Sequence, residues 1–148
     1  MKPAKIKEIM TAHPTLIAPD ALVADAAGKM QSVECGCLPV GGEGEAIGMI
    51  TDRDITVRVV AEGRDPAKTR VSEVMSKGLY TIDENDDLDD AASQMQAHGV
   101  GRLIVTSRKK VVGIVTMAEI LRAVADSERS PKILRELAKT RFASHAAH

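Results

Sequence analysis

The strand-to-helix handover Gly48-Met49-Ile50-Thr51-Asp52-Arg53-Asp54-Ile55 returns as Gly113-Ile114-Val115-Thr116-Met117-Ala118-Glu119-Ile120, 65 residues further along the chain. The same offset carries Glu8-Ile9-Met10 onto Glu73-Val74-Met75, Ile17 onto Ile82, Asp20 onto Asn85, and Asp25-Ala26-Ala27 onto Asp90-Ala91-Ala92. It also carries Met30-Gln31 onto Met95-Gln96, Gly36 onto Gly101, and Leu38 and Val40 onto Leu103 and Val105. Matching at one fixed offset over most of each unit indicates an internal duplication, so whatever one unit folds into, the other must fold into as well. Each unit reads β-α-β-β-α, from about Thr11 to Ala61 and from about Ser76 to Val124, which predicts an α+β fold of tandem repeats. Residues 1–66 then hold the first repeat with an N-terminal segment, 67–127 the second, and 128–148 a C-terminal helix and a frayed tail.

Within the first unit, Ile6, Ile9 and Met10 give a short helical turn that Pro14 ends, since proline lacks an N–H and disfavours helix at the residue before it. Thr15-Leu16-Ile17 is a brief strand candidate. Asp20 is placed to cap a helix from Ala21 to about Val33, with Val23, Ala26, Ala27, Met30 and Val33 on one stripe; Asn85 is the matching cap in the second unit. The strand Gly36 to Val40, with Pro39 calling for an edge or a bulge, and the strand Ala46 to Ile50 flank Gly41-Gly42-Glu43-Gly44-Glu45. Clustered glycines of this kind predict an antiparallel hairpin. A helix from Thr51 to about Ala61 buries Ile55, Val59 and Val60, and Gly63 and Pro66 end it. Past the second unit, Ser130-Pro131 starts a helix to about Arg141 with Ile133, Leu134, Leu137 and Ala138 on one face.

The handover is where chemistry is expected. Thr51 and Thr116 suit helix N-caps, and the first turn beyond them offers backbone N–H groups at the positive end of the helix dipole, suited to a phosphate or carboxylate. Three residues on, Asp54 or Glu119 could accept hydrogen bonds from vicinal hydroxyls such as those of a ribose. The same four residues also form the capping-box pattern, which needs no ligand. The acidic run Asp83 to Asp90 lacks the central Gly and terminal Glu of a calcium loop and reads as charge at a helix N-terminus.

Composition excludes several classes. The only aromatic residues are Tyr80 and Phe142, too few for a base-stacking platform, and a net charge of −1 gives no reason to expect nucleic acid or an acidic membrane surface as partner. No apolar run approaches a membrane span, and the N-terminus has no apolar signal core, so a cytoplasmic protein is expected. Cys35 and Cys37 are too close for an unstrained disulfide within one strand, and reduced thiols fit the cytosol. As metal ligands they would call on His13 and His98, with no second Cys pair at zinc-site spacing, so no metal is expected. No His, Cys, Ser or Lys constellation has the form of an activated nucleophile with its base, and the chain does not read as an enzyme.

The unit made of Glu-Ile-Met, a strand, Pro-Asp, an Ala-Ala-x-x-Met helix, Leu-Pro-Val and Gly-Met-Ile-Thr-Asp-Arg-Asp-Ile resembles a CBS domain, and two in tandem resemble a CBS pair, or Bateman module, over about residues 7 to 125. The resemblance is to the small stand-alone bacterial kind. It implies a pseudo-twofold module of small sheets packed against helices around a cleft that takes adenosine-containing ligands: AMP, ADP or ATP foremost, S-adenosylmethionine or NAD otherwise, with no cofactor required. Carried over residue by residue, Thr51 and Asp54 hold phosphate and ribose, with Arg53 beside them. Thr116 is kept in the second copy, Glu119 is one methylene longer than Asp54, and Arg102 is the basic residue that meets phosphate, where the first copy has Cys37. Thr15, Ile17, Pro39, Val40, Tyr80 and Ile82 form the adenine wall. A homodimer and an effector protein are the partners implied, the output being a change of shape or assembly. The alternative is a self-associating scaffold whose Thr-x-x-Asp/Glu steps are only helix caps.

Overall fold

The computed structural model describes residues 4–125 and, further on, 133, 134, 136, 137 and 139. In chain order the elements are α1 (Ile6–Ile9), β1 (Thr11–Ala12), α2 (Val23–Val33), β2 (Cys37–Gly42), β3 (Glu45–Thr51), α3 (Asp52–Ile55), a π-helical turn (Thr56–Val60), α4 (Val71–Val74), β4 (Thr81–Asp83), α5 (Leu88–His98), β5 (Arg102–Ser107), β6 (Lys110–Thr116) and α6 (Met117–Ala125).

Two compact units result, and their limits differ from a cut between residues 66 and 67. One is Pro14–Leu79; the other joins the residues up to His13 to those from Tyr80 onward. Each repeat has given its leading helix to the other. In the Pro14–Leu79 unit, α4 supplies Val71 and Val74 to a core with Ile17, Val23, Ala26, Leu38, Val40, Ile50 and Val59. In the other unit, α1 supplies Ile6 to a core with Ile82, Leu88, Ala91, Met95, Leu103, Val115, Ile120 and Val124. Each large aliphatic chain buried this way contributes about 1.5–3 kcal/mol, so the exchanged helices are integral to both cores.

The two sheets follow one plan. In the unit containing Tyr80, the order is β1-β6-β5-β4, with β4 parallel to β5 and the other pairs antiparallel. In the Pro14–Leu79 unit, the β2–β3 hairpin is flanked by single bridges, Ile17 parallel to Val40 and Ser76 antiparallel to Met49. The strand expected over Thr15–Ile17 is thus reduced to one bridge. The hairpin turns on Gly44 at φ +79, and a side chain at Gly41 would run into the Glu45 carbonyl. Its ladder slips between Val40 and Gly41, the bulge falling just past Pro39.

Asp20 and Asn85 do not cap their helices. α2 begins after Leu22, which is extended and has no side-chain cap bond, and α5 is capped by Asp87, whose Oδ1 accepts the Asp90 N–H at 3.0 Å. The exchanged helices impose the later start. Val71 N–H bonds the Ala21 carbonyl and Ser72 N–H the Pro19 carbonyl, while Ile6 N–H bonds the Asp86 carbonyl and Lys7 N–H the Glu84 carbonyl, so residues 19, 21, 84 and 86 stay in turns that serve the exchanged helices rather than in α2 or α5.

Two further expectations change. Ala27 and Val33 on α2 are exposed, so its buried stripe is Val23, Ala26 and Met30. Val60 is 68% exposed, because the helix after Thr51 widens into the π turn, which turns Val59 but not Val60 to the core that Ile55 also packs against. The helix expected from Pro131 to Arg141 lies largely outside the described residues, although Ile133 and Leu137 are buried and Leu134 is exposed.

Candidate functional site

Both handovers are complete capping boxes. Thr51 Oγ1 accepts the Asp54 N–H at 3.1 Å and Asp54 Oδ2 accepts the Thr51 N–H at 2.9 Å. The second copy repeats this, with Glu119 N–H to Thr116 Oγ1 at 3.3 Å and Thr116 N–H to Glu119 Oε2 at 3.0 Å. The extra methylene of Glu119 is accommodated without losing the box.

Each carboxylate also takes a hydroxyl from the exchanged segment. Ser76 donates to Asp54 Oδ1 at 3.2 Å, and Thr11 donates to Glu119 Oε1 at 2.6 Å. Thr11 and Ser76 are themselves 65 residues apart. Sequence reasoning passed over this pair; the signal was two hydroxyls directly following the Glu-Ile/Val-Met match. It also passed over Arg58, which projects from the π turn to donate to the Val74 and Met75 carbonyls at 2.9 and 3.2 Å and stands 3.9 Å from Asp54. Asp54 is only 5% exposed, and these partners explain how a buried carboxylate is tolerated there. The second unit has Ala123 at the matching position, and Glu119 is half-buried.

The first-turn amides of α3 are not free, contrary to expectation. Asp52 N–H bonds the Gly36 carbonyl at 2.9 Å, Arg53 N–H bonds Asp52 Oδ1 at 2.9 Å, and Asp54 N–H is held by Thr51. Asp52 both fills the site and adds negative charge, which opposes an anion. At α6, Met117 N–H bonds the Gly101 carbonyl at 2.9 Å, but Met117 has no carboxylate to cover the Ala118 N–H. Arg102 lies opposite Thr116 across the β5–β6 ladder, half-buried and with no side-chain partner among the described residues. Arg53 is exposed and likewise unpaired through its side chain. The second step therefore suits an anion better than the first.

The remaining expected site residues divide between the units. In the Pro14–Leu79 unit, Ile17, Pro39 and Val40 are buried and backbone-linked, Ile17 N–H bonding the Pro39 carbonyl at 3.0 Å; Thr15 is half-buried. A shallow open groove of about 610 Å³ is lined by Ile17 with Leu16, Ala21, Ala24, Gly28 and others, and excludes Thr51 and Asp54. In the other unit, Ile82 is buried in β4, and Tyr80 is partly exposed with its ring stacked on His98 at 4.1 Å. The described residues contain no group of three or more His, Cys, Asp and Glu placed to hold a metal ion, and no helix long and apolar enough to cross a membrane.

Two copies of a sheet-and-helix unit, each with a Thr-x-x-carboxylate step at the strand end, define a tandem α+β repeat module. The family model for the CBS domain matches residues 6–61 and again 71–126, and the chain belongs to that family as a CBS pair. CBS domains are regulatory rather than catalytic. The chain is 37% identical over 117 residues to CBS domain-containing protein YhcV of Bacillus subtilis, covering 79% of this chain and 83% of that one. It is 34% identical to Hypoxic response protein 1 of Mycobacterium tuberculosis, over 78% of this chain and 82% of that one. Among solved structures, Hypoxic Response Protein I with two coordinated zinc ions superposes with a TM-score of 0.72 at 33% identity, over 80% of this chain and 98% of that one. The CBS pair of protein MJ0100, in complex with 5-methylthioadenosine and S-adenosyl-L-methionine, superposes with a TM-score of 0.76 at 25% identity, over 84% and 98%.

Proposed function

We propose that this CBS pair is a cytoplasmic regulatory module that binds an adenosine-containing ligand, an adenine nucleotide before S-adenosylmethionine or NAD, and passes the signal to an effector protein through a change of shape or assembly as a homodimer. The observation that carries the reading is Arg102: a half-buried residue opposite Thr116 across the β5–β6 ladder whose side chain has no partner among the described residues, at the step where no carboxylate on Met117 covers the Ala118 N–H. A phosphate fits that arrangement, since guanidinium and backbone amide are both donors with positive charge or dipole. Thr51 and Asp54 are the ribose-type contacts of the first step, with Arg53 beside them; Asp54 keeps acceptor capacity because a carboxylate has about four lone-pair sites. The adenosine ligands of the MJ0100 CBS pair support the ligand class. Binding acts as a signal only if it favours one conformation over another.

Calorimetric titration with AMP, ADP, ATP, NAD and S-adenosylmethionine tests this on the wild type, Arg102→Ala, Arg53→Ala and Asp54→Asn. Arg102→Ala should weaken a phosphate-bearing ligand by about tenfold to a hundredfold, the value of a charge-assisted hydrogen bond, with the fold intact. Equal affinity in Arg102→Ala would remove Arg102 from the site. No binding of any compound would leave the scaffold reading, which the fully partnered amides of α3 favour.

A further inference from the structure

Cys35 stands ahead of β2 rather than in it, so the strand geometry that argued against a disulfide does not apply to the pair. Its half-buried side chain folds back over Cys37. The Cys35 thiol donates to the Cys37 carbonyl at 3.0 Å, the Cys37 N–H donates to Cys35 Sγ at 3.4 Å, and the two sulfurs touch at 3.7 Å. Gly36 between them has no Cβ, which lets the backbone bend as the sulfurs close to a bonded distance of about 2.05 Å.

This turn is joined to the first handover at two points. Cys37 is the cross-strand partner of Thr51, and the Gly36 carbonyl accepts the Asp52 N–H, the first amide of α3. The second repeat has the same wiring without sulfur: Gly101 accepts the Met117 N–H, flanked by Val100 and Arg102. We propose that Cys35 and Cys37 form a reversible disulfide when met by a small-molecule disulfide, and that ring closure loosens the start of α3 while leaving α6 untouched.

In the first step the Cys35 thiolate attacks one sulfur of glutathione disulfide, whose S–S bond breaks to release one glutathione thiolate. The Cys37 thiolate then attacks the Cys35 sulfur of the mixed disulfide, and the second glutathione leaves. Two protein thiols are oxidised, one small disulfide is reduced to two thiols, and the two protons lost by the cysteines end on the leaving groups. Cys35 is the entry sulfur because Cys37 is 1% exposed.

The full chain is equilibrated with glutathione disulfide without nucleotide, then examined by intact mass, thiol titration and amide hydrogen exchange. The expected product is lighter by two hydrogen atoms, has no titratable thiol, and returns to the starting mass on reduction. Its Asp52 amide exchanges about tenfold faster, as for a lost local hydrogen bond, with Met117 unchanged and with no acceleration in Cys35→Ser. Thiols that persist, a stable glutathione adduct or chains linked to each other would overturn ring closure. A closed ring with unaltered Asp52 exchange would overturn the coupling. None of these readings depends on whether a nucleotide binds.

Discussion

Ser76 holds Asp54 through its hydroxyl, 3.2 Å from one carboxylate oxygen and 3.4 Å from the other. Thr11 does the same for Glu119, so each capping box is closed by a residue from the segment that leads the other repeat. Exchange and capping are therefore one interaction network: the segment that completes the core also fixes the carboxylate at the step. A ligand that draws on Asp54 or Glu119 must work against this network.

Ser76→Ala should cost more stability than Thr11→Ala. Asp54 is buried, so losing its hydroxyl partner leaves a charged acceptor that water reaches poorly, a cost of about 1–3 kcal/mol. Glu119 is half-buried and its bond to Thr11 is exposed, so water replaces the lost donor and the cost should stay below about 1 kcal/mol. Urea unfolding of the two variants ranks them; equal losses would mean that burial does not set the value of the hydroxyl.

Gly48→Ala and Gly113→Ala should both destabilise, by about 1–3 kcal/mol as in other overpacked cores. A Cβ at Gly48 would stand 2.8 Å from the Ser76 carbonyl and 2.9 Å from Met75 Sδ; at Gly113 it would collide with Met10 Sδ and stand 3.0 Å from the Thr11 carbonyl. The nearest obstacle is backbone in the first case and a flexible side chain in the second. Met10→Ala should therefore recover part of the Gly113→Ala loss, whereas Met75→Ala should recover little of Gly48→Ala. A double-mutant cycle on each pair gives the answer.

The hairpin turn and the capping boxes were legible in the sequence because each depends on residues close together in the chain, and the duplication because its matches recur at one fixed offset of 65 residues. The exchange of α1 and α4 was not. With two similar repeats, Ile6 and Val71 satisfy the same apolar pocket whichever core they enter, and the pattern is silent on which one they choose. That choice displaced the caps from Asp20 and Asn85, since residues 19, 21, 84 and 86 lend their carbonyls to the exchanged helices from turns, and Leu22 and Asp87 stand extended before α2 and α5. Arg58 was hidden for a different reason: a π turn has no sequence signature as plain as a cap, and without it an arginine at that spacing reads as solvated. Arg102 was read from the family resemblance, and its lack of a partner needed coordinates.

Glu34→Gly should stabilise the chain, and Gly99→Ala should do the reverse. Both residues end their helices in the left-handed region, Glu34 at φ 53 and Gly99 at φ 63, with the N–H of each bonded back to Met30 or Met95. Only glycine adopts that conformation without a Cβ clash, so each change should move stability by about 1 kcal/mol in opposite senses. Thermal unfolding of both variants tests the pair, and a neutral Glu34→Gly would mean that the Glu34 side chain repays its strain elsewhere.

Acid should remove the contribution of Glu73. Its carboxylate is held below the usual range, first by the Arg70 backbone N–H at 2.7 Å and then by the Arg64 side chain at 2.8 Å. A carboxylate depressed on folding adds stability that is complete above its unfolded pKa and disappears as the pH falls through the lower, folded value. Wild type should therefore exceed Glu73→Gln in unfolding midpoint at neutral pH, and the gap should close through the acid range below the ordinary carboxylate value. The residue is exposed, so the gap should also shrink with added salt. Paired urea titrations across pH at low and high ionic strength test both trends. A gap that persists in acid would show that Glu73 acts through its shape and hydrogen bonds rather than its charge.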